Sequence, residues 1–278
     1  MNRINPSLFQ QAFMGFVRQA WPDKQDLIAI KPAPAKAGGK TSRASHDRAA
    51  SHPPLHLVSA FASTQRLVLG SQAVADKSNE INAIPILLER LAESDGLAGA
   101  IVTIATIATN KACACAIIKA QANYILAVKD NQPTLRREIE AAFEAAAAQD
   151  LDSDTDTDKG HGRIEERAVT VLHDVDWLKA ERHYPGEPRL PRIECLIRIR
   201  RRTEMKDRCR AETRYHIASK SLAAAEAGFA VRGHWAIENQ LHWILDTVFK
   251  EDQSRLGKAT APTTWPSSAT SPSTSPAP

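Results

Sequence analysis

Four side chains able to bind a metal ion or move a proton recur at intervals of four residues: His234, Glu238, His242 and Asp246, within VRGHWAIENQLHWILDTVFKED (Val231 to Asp252). On a helix this spacing stacks them along one edge. A carboxylate held at such an edge can grip a divalent ion, and a bound ion can activate a hydroxyl or water for attack. Two other readings fit the same residues. An edge carboxylate on an amphipathic helix can be solvated or form half of a salt bridge. Alternatively His234, Glu238 and His242 form an i, i+4 metal set, although in zinc-protease helices two His flank an adjacent Glu and the spacing differs.

The elements that must position these groups follow from periodicity. Ile237, Leu241, Ile244, Leu245, Val248 and Phe249 form an apolar stripe, so Val231 to Asp252 is expected to be one helix packed on a core. Leu222 to Val231 is expected to be a short helix leading into it. Upstream, Asp26 to Ile30 is an apolar run suited to a core strand, and Leu55 to Ala62 with Arg66 to Val74 form a hairpin through Ser63-Thr64-Gln65. Helices are expected at Asn5 to Trp21, from Lys77 through Leu91 with Ser78 or Asn79 as cap, and at Leu135 to Ala148. Ala100 to Ile104, a helix at Thr109 to Ala120 and Tyr124 to Val128 give a strand, helix, strand order that argues for parallel pairing. Lys31 to Gly39 reads as a flexible loop, and the acidic Asp150 to Asp158 stretch as a solvated linker. Glu165 to Leu172, Pro191 to Arg200 and Thr213 to Ala218 read as strands.

HWAIENQLHWILD, together with KSNEI at Lys77 to Ile81 and HGRIE at His161 to Glu165, occurs in the order seen in bacterial insertion-sequence transposases. The chain resembles the group that includes the H-repeat-associated proteins. The resemblance implies an RNase H-like α/β fold: a mixed sheet flanked by helices, with a β-rich insertion before the last catalytic helix. It also implies a DDE triad in which Glu238 is the last acid and metal ligand. The first acid of IAIDGK falls at Lys31 or Gly38 here, and the second, from TIDA, at Ala105. Mg2+ or Mn2+ is the implied cofactor, and double-stranded DNA at transposon ends the implied partner, with a possible homo-oligomer. Loss of two oxygen donors implies weak or absent Mg2+ binding and no strand cleavage or joining. The alternatives are a non-catalytic DNA-binding remnant and a His/Glu metal hydrolase.

Candidate DNA contacts are Lys129 at a strand end, Arg163, the run Arg198, Arg200, Arg201 and Arg202, and Arg232 and His234. A solvated edge strand guarded by charge explains the arginine run equally well. The expected organisation is a remnant of an N-terminal helical domain at 1–24 and a transposase core at 25–258. Within the core, 31–47 is a disordered insert and about 150–220 the β-rich insertion. A disordered Ser/Thr/Pro/Ala tail occupies 259–278. By the resemblance the chain starts late and departs from the family after Lys258, as a shifted reading frame would produce.

Composition agrees with a globular chain: 278 residues, 43% apolar and 24% charged, with a net charge of +4 that favours a polyanionic partner. Four cysteines without CxxC pairs or His at zinc spacing support neither a disulfide frame nor a structural zinc. No apolar run reaches membrane length and no signal peptide is apparent, so a cytoplasmic, nucleoid-associated bacterial protein is expected.

Overall fold

The structure, a computed structural model, describes residues 6–20, 27–32, 56–74, 80–93, 96–104, 109–130, 132–160, 163–179, 190–235 and 237–242. Nine strands among the described residues form one sheet: β1 (Leu27–Pro32), β2 (His56–Ala62), β3 (Leu67–Val74), β4 (Ile101–Ile104), β5 (Asn123–Val128), β6 (Leu151–Gly160), β7 (Arg163–Leu172), β8 (Cys195–Met205) and β9 (Arg208–Ala218). Their order is β3-β2-β1-β4-β5-β9-β8-β7-β6. β1, β4 and β5 are mutually parallel neighbours and every other pairing is antiparallel. Six α-helices accompany them among the described residues: α1 (Pro6–Ala20), α2 (Glu80–Glu93), α3 (Lys111–Lys119), α4 (Pro133–Ala145), α5 (Asp176–Lys179) and α6 (Ala224–Gly233). This is the mixed sheet flanked by helices that the resemblance implies, and no helix among the described residues is long and apolar enough to cross a membrane.

Apolar strands make the centre. Ile28, Ile30, Val102, Ile104, Tyr124 and Leu126 are buried in a core shared with α2, α3 and α4. The opposite face of the sheet carries a smaller core, in which Leu27, Ile125, Val169 and Ile197 meet Ala224, Ala227 and Ala230 of α6. Each fully buried Leu or Ile contributes about 1.5–3 kcal/mol by leaving water. Helix starts follow local chemistry: the Asn110 side chain accepts from the Cys113 N–H at 2.9 Å, and Pro133 opens α4 where no amide donor is needed.

Four expectations need correction. Lys31 and Pro32, expected in a loop, extend β1 by pairing with Ser59 and Val58. Among the described residues β4 pairs no further than Ile30, so β2 is the strand paired with these two residues, where the missing N–H of Pro does no harm. The rest of the expected 31–47 insert lies outside the described residues. The acidic stretch expected to be a linker is β6, paired with β7 from Leu151 and Leu172 to Gly160 and Arg163. An edge strand with an exposed face needs no apolar residues, because its hydrogen bonds come from its partner. The arginine run lies on β8, which is internal between β7 and β9, so it is not an edge strand guarded by charge. Finally, α6 ends at Gly233 and a π-helical turn covers Ile237–His242, so Val231 to His242 is not one continuous α-helix. Residues beyond His242, including Asp246, lie outside the described residues.

Candidate functional site

The parallel strands β1 and β4 are paired as far as Ile30 and Ile104, and the segment leaving α6 is drawn onto them. Gly233 makes this possible, since a Cβ there would run into Leu27 Cδ2. Ser63 Oγ donates to the Gly233 carbonyl at 3.2 Å, and Thr103 Oγ1 lies 2.9 Å from His234 Nδ1. Ile237 is fully buried, and the turn it opens packs against β1. Glu238 follows it in sequence, partly exposed, its N–H donating to the Trp235 carbonyl at 3.1 Å. The turn that carries Glu238 therefore rests on the first core strand.

Because hydrogen bonds in a π-helical turn span five residues, side chains four apart no longer stack. His234 is instead committed to Thr103, and the His242 side chain lies outside the described residues. No group of three His, Cys, Asp or Glu side chains able to hold a metal ion occurs among the described residues. Gly38 and Ala105 also lie outside them, while Lys31 is placed by its backbone alone.

Two clefts flank this segment. The first, about 580 Å³, opens at the carboxyl ends of β4 and β5 and is bordered by Lys129, Arg136, Arg214, His216, His234 and Trp235. Lys129 and His234, expected from the sequence, are thus brought together. Sequence reasoning missed Arg214 and His216, which belong to no motif and are collected by β9 lying next to β5, and gave no role to Trp235 within the HWAIEN run. Arg214 donates to Glu212 at 2.8 Å and its guanidinium lies 5.5 Å from the centre of the Trp235 ring. His216 is buried, and its Nδ1 has no hydrogen-bond partner. Desolvation, followed by the fields of His234, Arg214 and Lys129, pushes its pKa down to about 3, so it is neutral at pH 7.

The second cleft, about 870 Å³, lies between α6 and the face of β6 to β9, with Arg167, Arg201, Arg214 and Arg232 on its walls beside Asp154 and Asp156. Alternation along β8 splits the arginine run between the two faces of the sheet. Arg201 points into this cleft. Arg198 is 9% exposed on the other face, its guanidinium 4.7 Å from the centre of the Phe143 ring. Arg200 and Arg202, on the face of Arg198, are exposed, and Arg202 pairs with Glu204. Glu165, 2% exposed, accepts from Arg201 at 2.6 Å, pairs with Arg167 and has Arg163 at 3.8 Å. Arg232 pairs with Asp156.

Residues 23–260 match the transposase DDE domain family. The chain is 32% identical over 264 residues to the H repeat-associated protein YhhI of Escherichia coli K12, covering 93% of this chain and 66% of YhhI. It is 35% identical over 265 residues to YncI of Escherichia coli O157:H7, covering 94% of this chain and 64% of YncI. The chain therefore spans about two thirds of the length of these relatives. Among solved structures, piggyBac transposase in a synaptic complex with hairpin DNA gives a TM-score of 0.37 and 11% identity, covering 87% of this chain and 47% of that one. With most of its length matched, from before β1 to beyond the π-helical turn, the chain belongs to the transposase DDE domain family.

Proposed function

We propose that the chain is a DNA transposase by descent that engages double-stranded DNA at insertion-sequence ends but neither cuts nor joins strands. The observation that carries this reading is the donor set around β1 and β4. Members of the family generally use divalent metal ions, which require hard oxygen ligands. Of the three positions that the resemblance assigns to acids, Glu238 alone has a carboxylate. Ala105 offers a methyl group. The first position carries Lys31, a cation at the end of β1, or Gly38, which has no side chain. These residues do not fit a pair of divalent ions, so no metal-dependent step is assigned to the chain. Asp26 and Asp246, the other acids near these elements in sequence, lie outside the described residues.

DNA binding draws support from the cationic residues on both clefts, among them Lys129, Arg201, Arg214 and Arg232. Such groups attract phosphate regardless of base sequence, and the attraction weakens with salt. A cleavage assay on insertion-end DNA with Mg2+ or Mn2+ tests the reading. The natural chain is expected to shift the DNA without nicking it. A variant combining Ala105→Asp with Lys31→Asp is the arm in which nicking is expected to appear. Nicking by the natural chain overturns the inactive reading, and absence of any DNA binding overturns the whole of it.

A further inference from the structure

The acids of β6 recur at every second residue, Asp152, Asp154, Asp156 and Asp158, and so share one face of the edge strand. It is the face turned toward α6. Asp152 Oδ2 accepts from the Ala224 N–H at 2.7 Å, at the start of α6, and Asp156 pairs with Arg232 in its last turn. The spans agree: four strand residues advance about 13 Å at roughly 3.3 Å each, and eight helical residues about 12 Å at 1.5 Å each. β6 and α6 therefore run side by side, with a carboxylate at each end of the helix.

Between them lies the larger cleft, where four arginines face two aspartates, Asp154 and Asp156. In register across the sheet, Asp156 stands opposite Arg167, which stands opposite Arg201. A carboxylate presents the same chemistry to a guanidinium as a phosphodiester does: charged oxygens that accept two N–H bonds. The side chains of Arg232 and Asp156 are 55% and 47% exposed, and ion pairs this exposed are weakly held.

We infer that the cleft between α6 and the β6 to β9 face is a surface for the phosphate backbone of nucleic acid, and that the aspartate row of β6 is its internal competitor, displaced when DNA enters. This rests on the DNA-binding reading above and adds where the backbone lies and what it must displace. An incoming phosphate takes over Arg232 from Asp156. The exchange trades one ion pair for another, so the row lowers affinity for weakly bound polyanions more than it limits a duplex that fills the whole cleft.

The test is a salt titration of fluorescence anisotropy with the full chain and a short labelled duplex. Asp154→Asn/Asp156→Asn is expected to bind about 10-fold more tightly at low salt, and to steepen the slope of log K against log salt by about 1 as Arg232 is freed. Arg201→Gln/Arg232→Gln is expected to weaken binding and flatten the slope. Asp174→Asn/Asp176→Asn makes the same change in net charge away from the cleft and is expected to leave the slope unaltered. Circular dichroism checks folding. If the double variant does not fold, Asp154→Asn alone is expected to tighten binding about 3-fold.

Unchanged affinity in the aspartate variants, with the arginine variant weakened, overturns the competitor and leaves DNA binding intact. An equal gain in the distant control also overturns it, because net charge then suffices. Self-association without gain in affinity identifies the row as a guard on the sheet edge and overturns it as well. If neither the natural chain nor any variant shows salt-dependent binding, the DNA reading fails along with it.

Discussion

The two halves of the sheet are built on opposite plans. β1 to β5 include the parallel strands, and their apolar runs are buried against helices. β6 to β9 are antiparallel, and their outer ends carry rows of paired charge: Asp156, Arg167, Arg201 and Glu212 stand in cross-strand register. The first half is held mainly by surface removed from water. The second buries apolar side chains as well, Val169, Val171, Leu196 and Ile197 among them, and adds ion pairs that salt screens and pH can discharge. α6 and the turn that bears Glu238 lie against both halves, on β1 on one side and on β6 and β7 on the other. The segment meets the charged half through Arg232 and through Gly228, where an added Cβ would crowd Val169.

That contrast can be broken at its rigid side first. Leu126→Ala removes a fully buried side chain from the middle of β5 and is expected to cost about 2–5 kcal/mol, read as a lower urea midpoint for the whole chain. Retention of the native midpoint would show that the first half is not the stabilising one. Next comes pH. His216 sits where the halves join, with its folded pKa near 3 against 6.5 unfolded. Between those values the unfolded chain binds the extra proton, so stability is full above about pH 6.5 and falls as pH drops toward 3. The expected loss is about 1.4 kcal/mol per unit. His216→Gln should flatten the slope in urea melts taken across that window.

Glu165→Gln addresses the charged half by itself. It leaves Arg163, Arg167 and Arg201 facing one another without their shared carboxylate. Breaking a fully buried pair costs about 3–5 kcal/mol, but these arginines reach water, so roughly 1–2 kcal/mol is expected. Hydrogen exchange should quicken in β7 to β9 while β1 to β5 stay protected. Uniform loss of protection would mean that the halves unfold together. Smallest of all, Thr157→Val on the exposed face of β6 should change stability by less than about 0.5 kcal/mol.

The same contrast governs what could be read in advance. Ile28, Val102 and Leu126 announce their strands because both faces are covered, and the helix from Glu80 announces itself by its apolar period. LDSDTDTDKG carries no such sign. Its strand character belongs to β7, which supplies the hydrogen bonds, and the only internal hint is the alternation of Asp itself. Arg198 to Arg202 read as one basic cluster until alternation sends Arg201 toward α6 and Arg198 onto Phe143. Likewise the i, i+4 set from His234 presupposed an α-helix, whereas Gly233 closes α6 and the chain resumes as a π-helical turn.

By itself, then, the sequence determined the family and the apolar strands of the sheet, because motif order and the clustering of apolar residues are carried by residue identity alone. Tertiary structure decided which charges meet. Asp156 reaches Arg232 across 76 residues and Thr103 reaches His234 across 131. Such pairings depend on strand order and on which face each side chain takes, and both are set by packing among distant segments.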